Sequence, residues 1–504
     1  MADASIALNR FGFGGRPGDD PGANPRAWLN SQLRSYDPRP QQIAALPATA
    51  QIASELAEYF EEVRQIRQQN GGGQGQRPRR PAGAQPAMSD PMQVMPMQPG
   101  TAMEKDDSRD PVAQAQRFAR RQGREYYAAA VGARANVALN SPAPFVERLV
   151  HFWANHFAVS ADKLQVIGLA GVFEFDAIRP HVMGKFGDML HAAERHPAML
   201  LYLDQAQSIG PNSMAGKIGQ RRQAAQRAGL NENLAREILE LHTLGVRTSY
   251  GQADVTEFAR AMTGWTVSGL GRGGRARFAG TEGEPGKFVF AERLHEPGAR
   301  TIMGKNWDQQ GEAQASAVLD MLATHPDTAR HLATKLARHF AGDEPPAGLV
   351  AKLEGAYRKS GGDLPTVYRV LIDAPECWVA TPLKFKSPWE WTLSVNRALG
   401  VQQLQPQAVN GLLTQLGQPI WRPGSPAGWD DVAAAWAGPD AVMRRVEAAE
   451  RFAQRTRDTV DARARAAQLF PGAISEMTAQ AIARAESPGQ GVALMLVAPE
   501  FLRR

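Results

Sequence analysis

Between Asn231 and Val246 the chain reads NENLAREILELHTLGV, which sets Glu232, Arg236, Glu237, Glu240 and His242 on one short stretch. Carboxylates, an imidazole and a guanidinium at that density are the side chains of acid–base catalysis, metal ligation and anion binding. The spacing predicts a helix: Asn231 is a good N-cap, Glu232 sits where the helix dipole favours an anion, and Gly245 suits the C′ position. Leu234, Ile238 and Leu241 form one core face, while Glu237 and Glu240 share another. Arg236 stands one turn before Glu240 and is expected to pair with it. His242 lies roughly 140° round the helix from Glu237 at about 100° per residue, so these two do not chelate one ion from this helix alone. The Glu-x-x-His spacing of di-iron helices would need Glu at 239, where Leu239 stands. Two readings stay open: half of a polar site with perturbed carboxylates, or a framework helix locked by a buried Arg236–Glu240 pair.

Two further stretches carry histidines. In FVERLVHFWANHFAVS, residues 145–160, His156 follows Val146, Leu149 and Trp153 on the apolar face, and His151 aligns with Glu147 and Asn155 on a polar one. His156 therefore reads as a hydrogen-bonded core histidine unless another helix brings Glu237 or His242 to it. In HPDTARHLATKLARHF, residues 325–340, His331, Lys335 and His339 make a basic stripe. The two stripe histidines sit about 12 Å apart along the axis, too far to share an ion, and such a stripe is expected to be a solvated face, with anion binding the alternative. GLGRGG at 269–274 matches a dinucleotide fingerprint in letters only, because no strand precedes it and no helix follows. There is no His-Glu-x-x-His, phosphate loop, Gly-x-Ser-x-Gly elbow or zinc-type cysteine pair.

The elements that must position these residues are mostly helices. A chain of 504 residues is long for one core, and two subdomains sharing an interface are expected. The predicted class is mainly α: a multi-helix fold with one small β-hairpin insert around residues 276–304, where KFVFAERL and ARTIMG alternate and His295 falls in a HEPG turn. Residues 1–69 read as N-terminal helices, 112–265 as a helical core carrying the His and Glu motifs, 266–304 as a Gly-rich loop and hairpin, and 305–504 as a C-terminal helical region. Residues 70–111 are rich in Gly, Pro, Gln and Met and read as a disordered insertion. Its Met88, Met92, Met95, Met97 and Met103 could in principle hold Cu(I), but composition favours a plain insertion. Charge of +6 is dispersed along the chain, which argues against a nucleic-acid face even though the arginine-rich MRRVEAAERFAQRTRD stands out. One cysteine, Cys377, excludes an internal disulfide. The N-terminus lacks a basic-then-apolar leader and no apolar run reaches a membrane span, so a cytoplasmic protein without a membrane span is expected.

Several blocks together resemble the bacterial "domain of unknown function 1800" proteins: ALNRFGFGGRPGD, HFWANHFAVS, LYLDQAQSIGP, LNENLAREILELHTLGV, QADVTEFARAMTGWT, HEPGARTIMGK, HPDTARHLATKLARHFAGDEPP and LGQPIWRPGSPAGW. The resemblance covers nearly everything outside 70–111. It implies a large helical bacterial protein, often encoded beside an exported sulfatase-like partner of the family of unknown function numbered 1501. It also implies site positions at Asn155, His156, Asp204, Asn231, Glu232, Asn233, Arg236, Glu237, Glu240, His242, Asp254, Trp265 and His295. Gln205 stands where a small amide is expected, and TSYGQ replaces a Gly-Tyr-Thr-Gln-like turn, which bears on loop geometry. Co-export to the periplasm with that partner is the alternative to the cytoplasm.

Two functions follow as expectations. In the first, an enzyme gathers Glu237, Glu240, His242, Arg236, His156 and His295 in one polar pocket. There they perform acid–base or metal-assisted chemistry, hydrolysis included, on an envelope-associated or anionic substrate. In the second, the helices form a non-catalytic partner or scaffold subunit of the sulfatase-like protein, with its charges in structural networks. The residues identify neither a cofactor nor a metal.

Overall fold

The computed structural model describes residues 3–70, 111–221, 229–270, 279–382, 384–456 and 459–504. The methionine cluster, and with it all of the expected insertion between Asn70 and Pro111, lies outside the described residues, as do Gly271, Gly273 and Gly274.

The architecture is mainly α, and proline opens many of its helices because a fixed φ and a missing N–H cost nothing in a first turn. Such starts are α1 (Pro25–Ser35), α3 (Pro111–Asn140), which follows α2 (Thr49–Asn70), and α4 (Pro144–His156). Then come α5 (Phe186–Arg195), α6 (Asn233–Glu237), α7 (Gln252–Met262) and α8 (Pro326–Ala341). The last third holds α9 (Leu364–Asp373), α10 (Pro388–Ala398), α11 (Pro406–Gln415), α12 (Pro439–Arg455) and α13 (Pro488–Val497). Proline also divides segments that periodicity alone runs together. Pro47 separates Gln41–Ala44 from α2, and a 3-10 turn at Arg179–His181, containing Pro180, interrupts the helical stretch that precedes α5.

Among the described residues four short strands make two separate two-stranded antiparallel sheets rather than a single hairpin. β1 (Trp265–Val267) pairs with β2 (Phe288–Phe290), and β3 (Arg300–Ile302) with β4 (Lys305–Trp307). KFVFAERL therefore pairs backward to WTV, while ARTIMG folds on the next three residues through Met303 and Gly304, both at positive φ as a tight two-residue hairpin turn requires. His295 lies between the two sheets.

Among the described residues three apolar clusters stabilise the body, a small one at Tyr59, Val63 and Ala115 and two larger ones. Of these last two, the larger draws residues from Ile6 to Trp421, including Trp153, Phe186, Ile238, Leu332 and Tyr368. The smaller is C-terminal, around Trp391, Ala449, Leu496 and Phe501. α10 is the wall between them: Trp389 and Leu393 face the larger cluster, Trp391 and Val395 the smaller, as two i, i+4 rows on opposite sides must. Among the described residues no helix is long and apolar enough to cross a membrane.

Candidate acid–base cleft

The helix that opened the analysis is shorter and more irregular than its letters predict. Glu232, not Asn231, is the N-cap residue, and after Glu237 the coil widens into a π turn over Ile238–His242. The i→i+5 pitch re-registers the face, so Leu239 joins Leu234 and Ile238 in full burial while Leu241 is only half-buried. His242 is thereby turned inward, where its Nδ1 donates to Glu194 Oε1 of α5 at 2.7 Å, both side chains fully buried. Arg236 stays near the surface on Glu232 and Gln252, 3.2 and 2.9 Å away, and does not pair with Glu240. The Tyr250 hydroxyl engages Glu240 instead. Glu237 is half-buried, and burial raises its carboxyl, with Glu240 and Glu194 adding and His242 and Arg236 opposing.

A π turn that stops at His242 leaves carbonyls without helical partners, and two histidines supply the missing donors. His331 Nε2 donates to Leu241 O and His156 Nε2 to His242 O, each at 3.1 Å. Gly245, at φ +93, lets the His331 ring pack close, since a Cβ there would stand 3.0 Å from Nδ1. With its Nε2 proton committed, His156 presents the Nδ1 lone pair, and Lys335 Nζ donates to it at 3.0 Å.

The expected solvated stripe is thus packed over and lines a cleft at Lys335 and His339. His331, Lys335 and His339 follow α8 at i, i+4 and i+8, but the helix sinks this edge between α4 and the 417–437 loop. Burial lowers Lys335 to about 8, Arg338 pushes the same way, and Asp431 opposes. Burial takes His339 and His331 each down to about 4, and His156 well below the usual imidazole value. His339 Nδ1 donates to Asp431 Oδ2 at 2.8 Å, leaving its Nε2 lone pair toward Arg148, 3.4 Å away. Burial alone would raise Asp431, yet His339, Lys384 and Arg504 together hold its carboxyl well below the usual range.

Asn155 fixes the loop that carries Asp431. Its Nδ2 donates to Trp429 O at 2.8 Å and its Oδ1 accepts the Trp429 N–H at 2.7 Å. Gly428 is required for that approach: at φ +77, a Cβ would fall 2.3 Å from Asn155 O. The result is a cleft of about 270 Å³ between α4, α8, α10 and this loop. Trp389, Trp421, Trp429 and Trp436 wall it, and Arg134, Arg148, Lys335 and Arg338 supply cations. Arg134 is bound to Glu174 at 2.9 Å, and Arg148 to Glu390 and the Gly12 carbonyl. Among the described residues no carboxylate lies within 4 Å of Lys335 or Arg338.

Of the six residues expected to converge, only His156 lines this cleft. His242 stands behind it, with the two rings 6.1 Å apart, and Glu237 is linked to His242 only electrostatically. His295 is elsewhere, its Nδ1 donating to the Thr263 carbonyl at 2.8 Å. Most of the other block residues are fasteners. Asn231 Nδ2 holds the Leu203 carbonyl at 2.9 Å, Asp254 accepts from the Gly251 and Met303 N–H groups at 2.8 and 2.6 Å, and Asp204 pairs with Lys163 at 2.8 Å. Gln205, standing where a small amide was expected, donates its Nε2 to the Met262 carbonyl at 2.8 Å. Sequence reasoning singled out Lys335 and His339 with His331 as a basic stripe but expected it to face solvent, and it passed over Asp431, which nothing local marks. Among the described residues no group of three or more His, Cys, Asp or Glu side chains is placed to hold a metal ion.

Fold and cleft define a mainly helical protein with a tryptophan-walled, cation-bearing pocket. The family model described as Protein of unknown function (DUF1800) matches residues 6–503, and the chain belongs to that family. Comparison with curated proteins and with solved structures gives no match.

Proposed function

We propose that the chain is an enzyme that binds a small anionic substrate in this cleft and moves a proton on it with Lys335. The observation that carries the reading is the setting of Lys335: a pocket-facing amine with no carboxylate partner, held 3.0 Å from the fixed lone pair of His156. A group pushed from 10.5 to about 8 exchanges protons near neutral pH, where acid–base catalysis is most efficient. Arg338, with no carboxylate within 4 Å among the described residues, takes the anionic group of the substrate; His156 orients the amine; and the His339–Asp431 pair sets the local field. The tryptophans exclude water from the reacting centre. The cleft volume suits a metabolite-sized molecule or one residue of a polymer.

The test is ligand binding followed by turnover. Phosphate, sulfate and a panel of carboxylated and phosphorylated sugars are screened by thermal shift, and binders are then assayed for conversion. Expected is stabilisation by anions that Lys335→Met abolishes and Lys335→Arg keeps, with turnover lost in both variants. Anion binding indifferent to Lys335→Met would overturn the assignment.

A second reading, a non-catalytic subunit of a sulfatase-like partner exported with it, has one observation in its favour. Three buried carboxylates are held by cations or indole N–H groups: Glu147 by Arg179, Glu174 by Arg134 and Trp421, Glu390 by Arg148 and Arg504. Such networks suit a framework as well as a site. Co-purification with that partner, and its loss from the cell envelope when this gene is deleted, would favour this reading over catalysis.

A further inference from the structure

Lys335 differs from the other buried lysines near the cleft in what its amine meets. Lys384 is fully committed to Asp343 and Asp431, at 2.9 and 3.0 Å. Lys386 is sealed away over the Phe501 ring. Lys335 alone of the three opens into the cleft, and among the described residues its hydrogen-bond partner is a lone pair, not a negative charge. An ammonium kept for ion pairing would be given a carboxylate; an amine kept for its own lone pair is kept from one. His156 strengthens the case, because its Nε2 proton is locked on the His242 carbonyl and its Nδ1 cannot become a competing donor toward Nζ. One N–H of the amine is therefore held back toward α4, and the lysine lines the same cleft as the aromatic walls.

We propose that Lys335 forms an imine with a carbonyl compound that carries an anionic group, the anion resting on Arg338. This rests on the reading of the cleft as an anion-binding active site and names its covalent step. The Nζ lone pair attacks the carbonyl carbon, the C–N bond forms, and the C=O π electrons go to oxygen, which takes a proton. The carbinolamine then loses water: the C–O bond breaks, the hydroxyl leaves with one proton, and Nζ gives up its second hydrogen as C=N forms. The sum is amine plus carbonyl giving imine plus water, so neither oxidant nor further reactant is needed. His156 is a positioning residue here, since it acts through Lys335.

The experiment is reductive trapping on the full chain. Protein at pH 8 is incubated with glyoxylate, glyceraldehyde 3-phosphate or butanal and sodium cyanoborohydride, then digested and mapped by mass spectrometry. Expected is an adduct concentrated on Lys335, favoured roughly tenfold for an anionic aldehyde over butanal, as an activated lysine in the same cleft as the Arg338 guanidinium should give. Preference for glyoxylate marks a 2-oxo acid as the substrate type; preference for the phosphate marks a phosphorylated carbonyl compound. His156→Gln should move the pH profile of trapping upward, which a merely structural role would not do. Adducts spread evenly over surface lysines, while the same anions still raise the melting temperature, would overturn the imine and leave the anion cleft standing. Absence of both trapping and anion binding would remove the underlying reading as well. The map of the unmodified sequence decides between these outcomes even where a variant fails to fold.

Discussion

Lys386 gives the sharpest physical test of how this protein handles buried charge. It is 1% exposed, its Nζ has no hydrogen-bond partner among the described residues, and it sits 4.8 Å from the centre of the Phe501 ring. Burial pushes the amine from 10.5 down to about 7, with Arg148 and Arg504 adding and Glu390 opposing. The sign follows from proton counting: between about pH 7 and 10.5 the unfolded chain binds the proton and the folded one does not, so stability rises with pH across that window. At ~1.36 kcal/mol per pH unit the penalty is about 5 kcal/mol well below pH 7, about 4 at pH 7 and about 2 at pH 9. Contact with the aromatic face offsets roughly 1 kcal/mol of it. Lys386→Met keeps the length, fills the space and removes the charge, so it should raise the unfolding free energy by about 3 kcal/mol at pH 7 and by about 2 at pH 9, where the folded amine is already neutral and the ring no longer meets a charge. Denaturant titrations at both pH values measure this. No gain at pH 7, or a gain that does not shrink by pH 9, would refute the argument.

Four other outcomes are expected. The depressed histidines His331 and His339 are neutral in the fold and charge on unfolding, so stability should fall as pH drops from about 6.5 towards 4, by roughly 2–3 kcal/mol for each well-buried ring; thermal melts across that range check it. Glu390→Gln strands Arg148 and Arg504 and should cost about 3–5 kcal/mol, read from the shift in denaturation midpoint. Asn155→Ala removes both bonds to Trp429 and should cost roughly 2 kcal/mol and increase iodide quenching of tryptophan fluorescence; unchanged quenching would mean the loop is held by something else. Gly428→Ala should be worse than Asn155→Ala, because it combines a forbidden φ with a collision against the Asn155 backbone.

How far the sequence could be read depended on whether the signal was local. Pro144, Pro326 and Pro388 mark helix starts within one residue, because a proline's constraint acts on its own turn. The strands were half-legible: ARTIMG showed itself, but its partner KNW has no alternation, and WTV sits directly after a helix. The π turn was invisible, since nothing in ILELH distinguishes i→i+5 from i→i+4 bonding; what holds it open is His331 and His156 arriving from other helices. That single irregularity explains why Arg236 and Glu240 fail to meet, and why His242 faces Glu194.

The same irregularity ties the two histidine-bearing helices to the chemistry. A regular helix through His242 would have satisfied most of its own carbonyls and left His156 and His331 free to seek other acceptors. Because the π turn exposes the Leu241 and His242 carbonyls, each histidine spends its Nε2 proton there and its tautomer is set. For His156, the consequence is a lone pair aimed at Lys335, so an amine in the cleft is oriented by a backbone defect two helices away. The polar residues of NENLAREILELHTLGV are therefore part of the cleft's support, and the amine they help to orient is a lysine from a stripe that periodicity assigns to solvent. Burial decided the matter: a basic face is solvated only if nothing packs over it, and here the Asn155-fastened loop does.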